Sequence, residues 1–218
     1  ITDIQVNGES LDDKTDFNNL VSKDRVKHII EQINRYGYSG DRVRGLVFCS
    51  RKDEATELSN LFNTRGYKTI SLTGENTEAQ RRDAMNRLES DDLVNCLDYI
   101  FTVDIFNEGI DIPKVNQVIM LRPTESAIVF VQQLGRGLRK DPSKEYVVII
   151  DFIGNYEKNF LIPIALSGSL SYNKDTLRRF VSEGSLIIPG ASTVNFDLIS
   201  KKKIFESIDK ANFSDIKI

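Results

Sequence analysis

The sequence predicts an α/β fold, in which a mostly parallel central sheet is flanked by helices on both faces. Short apolar runs typical of buried strands alternate along the chain with stretches whose apolar residues recur at helical spacing. The chain has 218 residues and is 40% hydrophobic, which is enough for a sizeable core. Strands that alternate with helices are joined by crossovers, and such crossovers link parallel strands.

The elements follow in order along the chain. Residues 1–20 are polar and mixed, and we expect them to connect to an upstream lobe. Ser22 and Thr77 are predicted helix caps. The predicted helices cover residues 22–36, 52–64 and 77–88. The predicted strands cover residues 43–49, 68–72, 98–103, 117–121 and 146–150.

The pattern weakens after Asp151. Helices are expected over residues 155–166, 173–181 and 205–211, so we divide the chain into a connector (1–20), a main lobe (21–152) and a helical C-terminal extension (153–218). Because the chain begins at Ile1 rather than Met, we expect it to be a piece of a longer protein. The extension has no predicted chemistry.

Composition narrows the possible functions. The net charge is −3, so bulk electrostatics do not indicate a nucleic-acid binder, and any such binding has to be local. Cys49 and Cys96 lie in apolar surroundings and predict core residues rather than a disulfide or a metal site. The single histidine, His28, sits in an amphipathic stretch without clustered partners and does not indicate a metal site. No apolar run approaches the ~18 residues of a membrane span. We expect a cytoplasmic protein without a membrane partner.

Polar residues follow the predicted strands. Ser50, Thr73, Asp104 and Asp151 each lie just beyond a predicted strand end. In parallel sheets, ligands bind at the carboxyl ends of the strands. The sequence therefore predicts a binding site at this edge.

An arginine-containing segment spans residues 131–139 and reads VQQLGRGLR. On a helix, Arg136 and Arg139 would share one face, and two guanidinium groups one turn apart can bind a phosphate group. Gly135 and Gly137 would allow another surface to approach closely. The alternatives are a solvated basic helix end or arginines that pair with acidic neighbours.

Four segments together carry a family resemblance. They are residues 45–51 (GLVFCSR), 72–74 (LTG), 101–113 (FTVDIFNEGIDIP) and 131–139. In order and spacing they resemble motifs IV, IVa, V and VI of superfamily 2 helicases and translocases. The chain is thus similar, over residues 43–151, to the C-terminal RecA-like lobe of a bacterial DEAD/DEAH-type enzyme with a family-specific C-terminal extension.

The resemblance implies a P-loop NTPase fold without its own phosphate loop. Arg136 and Arg139 would approach the γ-phosphate of ATP with Gln132 beside them, and Gly109 and Asp111 would lie near the ribose and phosphates. The sequence has no G-x-x-x-x-G-K-[ST] and no D-E-x-[DH] segment. ATP and Mg²⁺ would therefore be held mainly by an upstream RecA-like lobe of the same polypeptide.

The resemblance also implies contacts to the backbone of one nucleic-acid strand. The matching residues are Ser50, Arg51, Thr73, Gly74, Thr102 and Arg81. Many relatives have threonine where this chain has Val103, and Arg81 belongs to a pair with Arg82 that could be a solvated face. DNA is weakly favoured over RNA, because Gln132-Gln133 replaces the His-Arg common in RNA-remodelling relatives.

Two other functions compete with this interpretation. A nucleotide-gated clamp or interaction module without motor activity would be expected to lack the finger arginines, and this chain retains both. A stand-alone Rossmann-type enzyme would need a glycine-rich loop after its first strand, where Ser50-Arg51-Lys52 stands instead.

Overall fold

The computed structural model describes residues 2–3, 5–6, 9–10, 21–103, 112–122, 140–153, 160, 163–164, 173–183 and 196–211. The strands are β1 (Thr2–Asp3), β2 (Gln5–Val6), β3 (Glu9–Ser10), β4 (Gly45–Phe48), β5 (Thr69–Leu72), β6 (Tyr99–Thr102), β7 (Gln117–Met120) and β8 (Val148–Ile153). The helices are α1 (Lys23–Tyr36), α2 (Lys52–Asn63), α3 (Glu78–Glu89), α4 (Lys174–Glu183) and α5 (Leu198–Lys210).

The main sheet has the strand order β1-β8-β7-β4-β6-β5. Each neighbouring pair in it is parallel, which confirms the predicted sheet. Within the predicted connector, β1 pairs with β8, and β2 pairs with β3 in an antiparallel ladder. The central strand β4 is the first of the five long strands, and its residues 45–48 are all buried.

The sheet has a hydrophobic core on each face, as predicted. Helices α1 and α2 pack against alternate strand residues such as Val47 and Phe101. On the other face, α3, α4 and α5 share one cluster with Leu46 and Ile100. This alternation follows from the period of two in a strand. The extension helices α4 and α5 therefore belong to the same core as the sheet.

The two predicted helix caps are confirmed. The Ser22 hydroxyl accepts a hydrogen bond from the Arg25 amide at 3.3 Å. Thr77 forms a reciprocal capping box with Gln80: the Gln80 amide donates to the Thr77 hydroxyl, and the Thr77 amide donates to the Gln80 side chain. Both caps satisfy amides that the first helical turn leaves without partners.

Two predicted boundaries need correction. Strand β8 continues through Ile153 rather than ending at residue 150, because β1 pairs beside Phe152 and Ile153. Helix α5 begins at Leu198 rather than residue 205, because Asp197 accepts the Ser200 amide at 2.9 Å and caps it. Of the helix expected over 155–166, only residues 160 and 163–164 lie within the described ranges.

The amino edge of the sheet is held by buried polar side chains. Asn116 accepts the Arg44 amide at 2.8 Å and donates to the carbonyls of Ser39 and Arg42 at 2.7 Å each. The Arg42 guanidinium donates to the carbonyls of Leu88 and Leu97. These bonds tie the entrance of β4 to β7, to the end of α3 and to the entrance of β6.

The two cysteines lie in the core, as predicted, and the histidine is partly buried. Cys49 and Cys96 are buried and form no disulfide, and the His28 ring packs edge-on against Phe152 at 5.9 Å. Within the described ranges, no group of acidic, histidine or cysteine side chains could hold a metal ion. Among the described helices, none has the length and apolar character to span a membrane.

The tight packing at the start of β4 gives a stability prediction. A Cβ atom at Gly45 would lie 2.2 Å from the buried Tyr99 ring, whose hydroxyl donates to Gln117 at 2.7 Å. Gly45→Ala should therefore lower the free energy of unfolding by roughly 1–3 kcal/mol in urea denaturation. Gly74→Ala is the control, because its Cβ would meet no atom within 4 Å. Equal stability of the two variants would contradict the described packing.

Candidate site at the carboxyl edge of the sheet

The carboxyl ends of the strands form one edge, and the strand order predicts a crevice there. The chain leaves β4 towards β5 on one side, whereas it leaves its neighbour β7 towards β8 on the other. Neighbouring parallel strands whose connections diverge leave a crevice at their carboxyl ends. Phe48 and Met120 are partners in the last paired row of β4 and β7. Ser50 and Arg51, which follow Phe48, therefore lie at this edge.

The segment between β4 and α2 presents Ser50 and Arg51. The Ser50 amide donates to Glu54 Oε2 at 2.8 Å, and the Arg51 guanidinium donates to both oxygens of Asp53 at 3.1 and 2.6 Å. The Ser50 amide is thus already bonded within the protein. The groups that this segment offers at the surface are the Ser50 hydroxyl and the partly exposed guanidinium of Arg51.

The turn between β5 and α3 presents Thr73 and Gly74. The Thr73 amide donates to Asn76 Oδ1 at 2.7 Å, and the Asn76 amide donates back to the Thr73 carbonyl at 3.1 Å. Space beside Gly74 is open to at least 4 Å. The turn is therefore held by its own hydrogen bonds, while its glycine faces an unobstructed surface.

The adjacent residues Arg81 and Arg82 have different surroundings in the structure. Arg81 is partly buried and its guanidinium donates to the Gly74 carbonyl at 3.1 Å. Arg82 is exposed and pairs along the helix with Glu78 at 2.7 Å. Arg81 therefore lies against the turn after β5, whereas the solvated-face interpretation fits Arg82.

The two segments are joined by a salt bridge. Lys52 Nζ lies 2.9 Å from Glu75 Oε1, so the start of α2 contacts the turn before α3. Hydrogen bonds from Lys52 and Arg51 hold the pKa values of the Glu75 and Asp53 carboxyls below their usual range. Both pairs are exposed and each contributes little to folding stability. We use the name edge surface for Ser50, Arg51, Thr73, Gly74 and Arg81.

The position of Thr102 differs from that expected of a residue in contact with nucleic acid. Thr102 is completely buried at the end of β6, with its side chain on the α3 face of the sheet, two residues after Ile100. Its hydroxyl has no hydrogen-bond partner among the described residues. In this structure the Thr102 hydroxyl faces the core rather than the surface, and the contact with a strand stays a prediction.

Asp151 also departs from its predicted place. It lies within β8, paired in register with Met120, rather than beyond the strand. The residue is 3% exposed, and in the described part of the chain its Oδ2 has no hydrogen-bond partner. Burial raises the pKa of the Asp151 carboxyl to about 7.

Sequence reasoning missed Glu54 and Arg25. The Glu54 carboxylate is 0% exposed and holds Arg25 Nη1 at 2.6 Å besides the Ser50 amide. The sequence does contain an indication of the bond to the Ser50 amide. Glu54 is the third residue of α2, a position at which glutamate often accepts a backbone amide. Its pairing with Arg25 depends on how α1 packs beside α2, which no local pattern reveals.

The remaining predicted site residues lie outside the described ranges. They are Gly109, Asp111, Gln132, Arg136 and Arg139. Asp104, expected beyond the end of β6, is also outside them. Their predicted positions at the nucleotide stay predictions.

The described edge surface carries groups of the kinds that interact with anions. It offers hydroxyl groups, a glycine backbone and two guanidinium groups at one edge, and such donors suit phosphate oxygens. An all-parallel sheet covered by helices on both faces, with these donors at the carboxyl edge, places the chain in the RecA-like α/β class.

Sequence similarity to known proteins identifies the family. Residues 24–141 match the family described as the helicase conserved C-terminal domain, which is more than half of the chain. The chain belongs to this helicase C-terminal family. The superfamily 2 resemblance is thereby confirmed at the family level.

Individual relatives share only this region. IRC3 of Saccharomyces cerevisiae is 34% identical over 112 residues, which cover 50% of this chain and 15% of that protein. The ATP-dependent RNA helicase SrmB of Haemophilus influenzae is 30% identical over 116 residues, covering 53% and 26% respectively. A solved DEAD box protein from Methanococcus jannaschii has a TM-score of 0.46 at 20% identity, covering 59% of this chain and 33% of that one. The chain thus spans only about a quarter or less of the two curated relatives.

The raised pKa of Asp151 gives a pH prediction. In an unfolded chain this carboxyl has a pKa near 3.9, whereas it is about 7 in the folded protein. Between these values the folded state binds a proton that the unfolded state has lost. The contribution of Asp151 to the free energy of unfolding is therefore largest below about pH 4, and it is lost as the pH rises through 7.

Asp151→Asn should remove this loss. The variant should gain stability relative to wild type between pH 4 and pH 8, by on the order of 1–4 kcal/mol, and the gain should level off above pH 8. Urea denaturation of both proteins across this range measures it. A stability difference that does not change with pH would contradict the raised pKa.

Proposed function

We propose that this chain is the second motor lobe of an ATP-dependent nucleic-acid helicase or translocase. The observation that carries the proposal is the edge surface, where the end of β4, the turn after β5 and Arg81 meet in a member of the helicase C-terminal family. The edge surface would contact the sugar-phosphate backbone of one strand. ATP would bind in a cleft between this lobe and an upstream RecA-like lobe of the same polypeptide.

The strand contacts follow from the groups that the fold leaves to a ligand. The amides of Ser50 and Thr73 are bonded internally, and within the described part of the chain the Thr73 hydroxyl makes only long hydrogen bonds, of 3.5 Å to Asn76 and 3.4 Å from the Glu75 amide. We therefore assign the phosphate contacts to the two hydroxyls, to Gly74 and to the arginines. Arg81 is the best oriented of these cations, because its bond to the Gly74 carbonyl holds it beside the open turn. Phosphate contacts position a strand without reading its sequence.

The ATP contacts are proposed from the sequence. Because the chain has no phosphate loop, the phosphates and Mg²⁺ would be held by the upstream lobe. Arg136 and Arg139 would then neutralise charge at the γ-phosphate, with Gln132 beside them, while Gly109 and Asp111 would lie near the ribose. An arginine finger contributes ~10³–10⁵-fold in rate.

Motion would result from closing and opening of the two lobes. Bound ATP would draw the fingers into the cleft, and hydrolysis would release them. Because both lobes would hold the same strand, each cycle would shift the strand by a step. Tests need both DNA and RNA, since Gln132-Gln133 favours DNA, whereas the relative SrmB is named an RNA helicase.

The first prediction from this proposal concerns Arg81. Arg81→Ala in the full-length protein should weaken single-strand binding about tenfold, because a charge-assisted contact to phosphate is lost. It should also reduce the slope of log K against log salt by about one. Fluorescence anisotropy with labelled DNA and RNA strands measures both quantities.

Arg82→Ala is the matched control. It removes the same charge from the adjacent residue of α3, but Arg82 is exposed and pairs with Glu78. Its effect should stay below about twofold, as expected for a surface charge. Equal losses in the two variants would show that only net charge matters and would contradict the assigned contact.

The second prediction concerns ATP turnover. This chain alone should hydrolyse no ATP above background, with or without nucleic acid, because it lacks the phosphate loop that cradles the β- and γ-phosphates. A coupled ATPase assay on the purified chain measures this. Turnover that follows the chain through a final purification step would contradict the half-site assignment.

A further inference from the structure

One buried carboxylate joins three parts of the lobe behind the edge surface. Glu54 Oε1 lies 2.6 Å from Arg25 Nη1 of α1, and Glu54 Oε2 accepts the Ser50 amide at 2.8 Å. The side chains of Glu54 and Arg25 are 0% and 2% exposed. A single side chain of α2 thus binds both α1 and the segment that leaves β4.

Helix capping alone does not explain this arrangement. A glutamate in the first turn can accept a nearby backbone amide while it remains at the surface. Here the carboxylate is buried together with an arginine, and burying two charges costs free energy that a capping contact does not require. Packing of α1 on α2 does not require the pair either, since Val26, Ile29 and Leu58 already form an apolar contact layer between the helices and the sheet.

The geometry of the bonds shows what the pair fixes. With Arg25 on one oxygen of Glu54, the other oxygen is directed at the Ser50 amide, and this bond sets the position of the backbone between β4 and α2. Ser50 and Arg51 are the two edge-surface residues of that segment. Ordering the backbone of one residue costs about 1–2 kcal/mol, so a segment that is already fixed binds more tightly than one that must be ordered.

We propose that Glu54, held by Arg25, is a positioning residue for the nucleic-acid strand. It keeps the Ser50 hydroxyl and the Arg51 guanidinium in place before the strand arrives. This inference rests on the proposed function, because the strand is the ligand that Ser50 and Arg51 would contact.

The test uses Glu54→Gln in the full-length protein, with single-strand binding measured by fluorescence anisotropy. The oxygen of the introduced amide should turn to the charged Arg25, which is the stronger donor, so its NH₂ group would face the Ser50 N–H and the two donors would repel. We expect the Kd for the strand to rise about tenfold. Circular dichroism and thermal unfolding establish that the variant is folded at the assay temperature.

Rescue and control variants separate positioning from stability. In Arg25→Gln/Glu54→Gln, no cation competes for the amide oxygen introduced at position 54, so that oxygen can accept the Ser50 amide. The Kd should then return to within about threefold of wild type. Ser59→Ala removes another buried bond of α2, the 2.7 Å contact between the Ser59 and Thr69 hydroxyls, at a distance from Ser50. It should lower stability and leave the Kd unchanged.

A double-mutant cycle tests whether Glu54 acts through the edge surface. Glu54→Gln should add less than about twofold to the loss caused by Ser50→Ala/Arg51→Ala. An unchanged Kd in folded Glu54→Gln, or additive losses in the cycle, would overturn the inference. Should Glu54→Gln fail to fold, a tenfold loss in the folded double glutamine variant would also overturn it. Wild-type protein that binds neither DNA nor RNA would instead contradict the proposed function itself.

Discussion

The parallel direction of the strands is the constraint on which the rest of the structure depends. Since the five long strands all run the same way, everything that follows a strand emerges at one edge. Residues far apart in the sequence, such as Ser50 and Gly74, are thereby brought to one surface. The opposite edge is left to the buried bonds of Arg42 and Asn116, which hold the strand entrances in register.

The carboxyl edge is built differently from the amino edge. Its outer ion pairs, Lys52–Glu75 and Arg51–Asp53, are exposed and are weak enough to rearrange when an anion binds. Behind them, the buried Arg25–Glu54 pair is fixed between two helices. An adaptable charged surface on a rigid support is the arrangement that a lobe needs if it is to hold and release a strand in each cycle.

The sequence predicted those features that depend on local pattern. Ser22 and Thr77 cap helices as their residue types favour, and the five long strands overlap their predicted positions. The misses depend on distant contacts. β8 is longer because β1 pairs beside it, and Thr102 is buried at the end of β6. Arg81 is partly buried and bonds to the Gly74 carbonyl, whereas Arg82 is exposed and pairs with Glu78. The pairing of Glu54 with Arg25 joins residues 29 positions apart.

The central claim is that this lobe couples ATP hydrolysis to a nucleic-acid strand. Nucleic-acid-stimulated ATPase of the full-length protein tests it most directly, with wild type compared with the Arg136→Ala/Arg139→Ala variant over single- and double-stranded DNA and RNA. The account predicts stimulation of wild type by at least one of these nucleic acids and loss of that stimulation in the folded variant. ATPase activity that ignores every nucleic acid, or that survives removal of both arginines, would contradict it.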